Sequence, residues 1–166
     1  MGAGKTAVLA EASDILTHRQ IVHAAIDLDA LGLAHLPSAN QASATPTDAV
    51  MYDNLRSICT NYADLGVQRF LVARAIEDAG QLKLCREIIP AVSTIVCRLT
   101  ASLEAMQHRV QMRDPGISQP ELVARVAILN AIIDRAHLED FAIANENRSL
   151  TDVAFEMLVK AGWLSS

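Results

Sequence analysis

Met1-Gly-Ala-Gly-Lys-Thr6 is the stretch whose reading decides the fold. In the pattern G-x-x-x-x-G-K-[ST], successive backbone N–H groups cradle phosphate oxygens, the lysine reaches the β/γ-phosphates and the hydroxyl holds Mg²⁺. Gly4, Lys5 and Thr6 fill its last three places, and Gly2 and Ala3 belong to the loop. The first glycine would stand before Met1, as would the buried strand that leads into such a loop. Both are expected upstream, with Met1 an internal methionine of the loop. Met1-Gly2 with Thr6 also fits M-G-x-x-x-[ST], the acylation signal, but no polybasic patch follows to add a second anchor.

Working outward, Val8, Leu9, Ala12, Ile15 and Leu16 recur at helical spacing, so a helix begins at the loop. Its N-terminus would offer unpaired N–H groups and a partial positive charge to a phosphate. Residues 21–28 form a short apolar segment expected to be a parallel strand ending in Asp27-Leu-Asp29. Carboxylates at the carboxyl end of such a strand lie where open α/β sheets bind ligands, and can orient a hydroxyl or hold water on Mg²⁺. The plain alternative for either one is a turn or capping role.

Residues 37–47, small and polar, are expected to be a surface loop, with Thr45 capping the next helix and Pro46 at its first position. Met51, Leu55, Ile58, Tyr62 and Leu65 make that helix's apolar stripe, Gly66 ends it, and Tyr52 and Arg56 are read as a solvated pair. Further strands are expected at 67–74, 93–100 and 141–144, and helices at 81–89, 102–113, from Ser118 onward and from Ser149 onward. Gly162 stops the last helix, and Trp163 is expected to fold back as an anchor. Arg109 and Arg113, four apart, could clamp a phosphoryl group or form an ordinary basic face.

With 166 residues, 51% hydrophobic and 20% charged, one domain over 1–166 is expected. A net charge of −5 and a pI near 5.4 weigh against nucleic acid as a partner, because that affinity needs clustered Lys and Arg. No apolar run approaches a membrane span, so no membrane partner is expected. Cys59, Cys85 and Cys97 lack metal or disulfide spacing and are read as buried free thiols of a cytoplasmic protein. The five histidines share no ligand spacing.

The order of elements, from the loop and its helix to a last strand followed by Asn145-Glu-Asn-Arg148, resembles the small P-loop kinases, adenylylsulfate-kinase-like and nucleotide-kinase-like proteins in particular. The resemblance implies a three-layer α/β/α P-loop NTPase fold with a mostly parallel sheet whose first, central strand is absent from this chain. It also implies ATP and Mg²⁺ as cofactors and transfer of the γ-phosphoryl to a small-molecule acceptor. Lys5 would then contact the phosphates, Thr6 the metal, and Asp27 or Asp29 the acceptor. Arg109 and Arg113 would belong to the lid, and Asn147 with Arg148 would line the adenine pocket. Without the central strand, the strands at 67–74 and 93–99 must either pair directly or face each other across a void about two interstrand spacings wide. The rival expectations are a nucleotide-binding regulator without phosphotransfer and a structural α/β interaction domain.

Overall fold

The computed structural model describes residues 1–32 and 46–165, with side chains described from Asp48 in the second stretch. It is an α/β protein with six α-helices and two small parallel sheets among the described residues. The elements run α1 (Lys5–His18), β1 (Ala24–Asp27), a 3-10 turn (Leu28–Gly32), α2 (Pro46–Asp64), β2 (Phe70–Ala73), α3 (Ala79–Ile88), β3 (Cys97–Thr100), α4 (Leu103–Arg113), α5 (Gln119–Ala136), β4 (Phe141–Ala144) and α6 (Leu150–Lys160). The expected cap Thr45 and most of the expected 37–47 loop lie outside the described residues.

β1 pairs with β2 from Ala24↔Phe70 to Asp27↔Ala73, and β3 pairs with β4 from Cys97↔Phe141 to Thr100↔Ala144. The strands at 21–28, 67–74 and 93–100 are thus shorter than their apolar runs, because only four residues of each find a ladder partner. β2 and β3 do not pair. A cavity of about 330 Å³ lies between them, lined by residues 70–76 on one side and 93–99 on the other, with Val8 and Leu9 of α1 beside it. Of the two arrangements the sequence allows, the void is the one the chain adopts.

Three apolar clusters hold these parts together. Ile26, Leu28, Met51, Leu55, Cys59 and Cys85 pack α2 and α3 against the first sheet. Val8, Ala12 and Leu16 of α1 pack with Ile143, Val153 and Leu158, tying α1 and α6 to the second sheet, and Leu71 of β2 joins from the first. Ala3 of the loop packs with Met106, Val110 and Val126 of α4 and α5.

The α2 stripe differs from expectation at both of its edges. Tyr52 and Cys59 are buried, whereas Tyr62 is 41% and Leu65 80% exposed. Tyr52 packs into the cluster with Ile26, Leu28, Met51 and Cys85, so it is core rather than half of a solvated pair. Ser118 precedes α5 without making a side-chain cap, its backbone being helical already. Asp78, Ser102 and Ser149 do cap α3, α4 and α6, by accepting from Gln81, Ala105 and Asp152 N–H. Gly162 adopts φ 72 after α6, and Trp163 turns back to donate to the Leu158 carbonyl at 2.9 Å. Cys59 and Cys85 are buried, Cys97 is half-buried, and all three are free.

Leu158 is fully buried where α6 meets α1. Leu158→Ala is expected to lower the unfolding free energy by about 2–5 kcal/mol in urea titration, and Leu65→Ala by less than about 0.5 kcal/mol.

Candidate functional site

The loop and the start of α1 sit at the carboxyl ends of both sheets. Thr6 Oγ1 donates to Asp27 Oδ2 at the end of β1 (2.6 Å), and Asn145 just after β4 donates its Nδ2 to the Ala3 carbonyl (2.8 Å). Arg109 of α4 donates to the Gly2 carbonyl (3.3 Å) and to the Asn145 carbonyl (2.8 Å). These bonds hold the carbonyls of residues 2 and 3 against the body of the protein. Asn145 is 7% exposed and is the buried polar residue of the described core. Its backbone N–H donates to the Thr100 carbonyl at 2.7 Å, so this one residue, directly after β4, links the loop to β3 as well.

Two glycines are required here for geometric reasons. Gly2 and Gly4 take φ 74 and 89, in the left-handed region, and a Cβ at either would run into Met106 backbone or the Asn145 amide. Gly4 is the residue before α1, and no side chain caps that helix. The first-turn N–H groups of α1 are therefore available to an anion in a way that those of α3, α4 and α6 are not.

Lys5 lies half-buried at this point, and among the described residues its ammonium makes no direct ion pair. Burial holds its pKa below the ordinary lysine value, while the charges of Asp29 and Asp27 pull it back up. The Met1 amine is lowered further, to about 6, by burial and then by Lys5. Burial and their mutual repulsion thus disfavour the charged form of each amine, an effect that a nearby anionic group would relieve.

The acidic residues form the opposite wall. Asp27 also accepts from the Asp29 N–H at 3.2 Å, and Asp29 accepts from Arg74 at 3.1 Å. Arg74 reaches Asp48 of α2 at 3.5 Å and Met51 Sδ at 3.0 Å, while its buried Nε has no hydrogen-bond partner among the described residues. Arg74 is not among the expected site residues. Its signal was position, a cation at the carboxyl end of β2 facing two acids on other elements.

The expected site residues divide accordingly. Gly2, Ala3, Gly4, Lys5, Thr6, Asp27 and Asp29 come together. Arg109 is beside them, but its guanidinium is used on loop and Asn145 carbonyls rather than held out in a lid. Arg113 pairs with Asp114 at 2.7 Å, which raises its pKa, and it stands near enough to feel Asp29 and Asp27. Arg148 pairs with Glu156 at 2.7 Å and leans on the Ala144 carbonyl at 3.4 Å, and Asn147 takes φ 56 in the turn before α6. Glu146 spends both carboxylate oxygens on the N–H and hydroxyl of Ser102, fixing the start of α4.

The Thr6 hydroxyl with Asp27 offers the oxygen donors that Mg²⁺ prefers, a site it would share with phosphate oxygens and water. Among the described residues no three His, Cys, Asp or Glu side chains converge into a self-sufficient metal cage. No described helix is long and apolar enough to cross a membrane. In comparison with known proteins, no family model and no curated sequence matches the chain.

Two outcomes follow from this geometry. Asn145→Ala leaves the Ala3 carbonyl without its donor and is expected to cost about 1–3 kcal/mol in urea titration. The Met1 amine has a folded pKa of about 6 against its ordinary 8.0, so unfolding takes up a proton between those values. Stability should therefore rise as pH goes from 6 to 8 and level off above. Acetylating the N-terminus should abolish that slope, and an unchanged slope would show that the amine is not buried.

Proposed function

We propose that the chain binds the polyphosphate of ATP, with Mg²⁺, at the Gly2–Thr6 loop, and uses it in phosphoryl transfer to a small-molecule acceptor. The observation that carries this reading is the half-buried Lys5 ammonium, lacking an ion-pair partner among the described residues, at the uncapped start of α1. Around it, the loop carbonyls are held away by Arg109 and Asn145, leaving the amide side of the loop for phosphate oxygens. Thr6 and Asp27 would hold Mg²⁺, which supplies charge neutralisation to the β/γ-phosphates. Asp29, at the rim beside Arg74, is the group placed to orient an acceptor hydroxyl. The resemblance of the element order to small P-loop kinases agrees with this assignment.

A second reading, binding without transfer, is favoured by one feature. Arg109 is engaged by loop carbonyls and Arg113 by Asp114, so neither guanidinium is free to neutralise a transferring phosphoryl group as the chain stands.

Titration calorimetry with ATP and Mg²⁺ tests the binding. Lys5→Ala should weaken affinity roughly 10- to 100-fold, the value of a charge-assisted contact. Equal affinity for the two proteins would overturn the proposal. Turnover over a panel of hydroxyl and phosphate acceptors separates transfer from binding alone.

A further inference from the structure

We propose that the outward face of α5 is a docking surface for a second copy of this chain, the two helices lying antiparallel about a two-fold axis at Ile128. α5 carries two apolar rows. Val126 and Leu129 are buried and Leu122, Val123 and Ile133 half-buried, and this inward row meets Met106 and Val110 of α4. At 3.6 residues per turn, Ala124, Ile128, Ala131 and Ile132 fall on the opposite side of the helix. All four are exposed, Ile128 at 62% and Ile132 at 36%. Between Arg125 and Asp134 no charged residue interrupts them, whereas a helix face left to water is normally polar.

The charges at the two ends of this row identify the occupant. Glu121 stands seven residues before Ile128 and Arg135 seven after, both on the outward face. Both are exposed and, among the described residues, neither has an ion-pair or hydrogen-bond partner. The adjoining charges are already used, Arg125 on Glu77 at 3.7 Å and Asp134 on Arg98 at 2.6 Å. A second copy centred on Ile128 and running antiparallel brings Glu121 of each chain to Arg135 of the other and sets Ala124 opposite Ile132, small against large. The face is thus complementary to itself, as a two-fold interface requires. A parallel copy would oppose Glu121 to Glu121 and Arg135 to Arg135, and would align the two helix dipoles unfavourably. From Glu121 to Arg135 the face is about 21 Å long at 1.5 Å per residue. Contact along one helix is smaller than the roughly 800 Å² per partner of a standard interface, so the dimer is a reversible one, half dissociated at on the order of 10–100 μM.

Sedimentation velocity of the whole chain without nucleotide, from about 1 μM to about 1 mM, tests this independently of what the loop binds. Monomer is expected at the bottom of the range and dimer at the top. Ile128→Lys places two ammonium groups at the axis and should leave monomer throughout. The melting temperature of the dilute protein should not change, because Ile128 is mostly exposed within its own chain. Glu121→Arg and Arg135→Glu each make both end pairs repulsive, and each should weaken the dimer about tenfold. Combined, they restore opposite charges across the axis and should return the affinity to within about threefold of the unaltered chain. A chain that stays monomeric to the top of the range overturns the proposal. So does a dimer that survives Ile128→Lys, or a doubly reversed chain that associates as weakly as the single reversals. The charge series decides the matter by itself if Ile128→Lys does not fold.

Discussion

The packing of α1 across two separate half-sheets is the interaction on which everything else depends. Within the described residues the sheets share no strand ladder, so their relative position must come from side chains. Val8, Ala12 and Leu16, one stripe at four-residue spacing, reach Leu71 on one side and Cys97, Leu99 and Ile143 on the other. Burial of that stripe is worth on the order of several kcal/mol, and it is directional only in so far as the shapes fit. A ladder would fix register through hydrogen bonds, whereas packing fixes it through volume. The cleft is therefore the least constrained dimension of the fold.

The loop inherits its shape from the same arrangement. Arg109 and Asn145 pull the carbonyls of Gly2 and Ala3 toward α4 and β4, while Asp27 holds Thr6 from the β1 side. Each contact would be ordinary alone. Together they turn one polar face of the loop inward and leave the other to solvent, with Lys5 and the Met1 amine crowded on that side. The left-handed φ of Gly2 and Gly4 is the backbone condition for this inversion, and the close approach of Met106 and Asn145 separately leaves neither position room for a Cβ.

Much of this was readable from residue order. The helical spacing of Val8, Ala12 and Leu16 announced α1, the Phe141-Ala-Ile-Ala144 run gave β4 with its observed bounds, and Ser149 marked the start of α6. The lengths of β1, β2 and β3 were not readable, because an apolar run says which residues prefer burial, and only a ladder partner decides which become strand. Asn145 escaped notice for a related reason. A lone amide after a strand has no pattern in sequence, and its importance arises from a carbonyl 142 positions away. Arg109 was noticed, yet spacing on a helix cannot say whether a guanidinium faces solvent or a backbone carbonyl.

The cleft and the loop are not independent features. The loop is tethered to β1 through Thr6 and to β4 through Ala3, so the distance between its two tethers is set by the separation of the half-sheets. A phosphate cradle works only when its N–H groups converge within a few tenths of an ångström of the oxygens they bind. Any change in cleft width would move the Ala3 tether relative to the Thr6 tether and alter that convergence. Lys5 would feel the change as well, since its low pKa reflects burial beside Met1 at the mouth of the same cleft. The geometry of the loop is thus coupled to the width of the cleft, and the two must be considered as one physical problem.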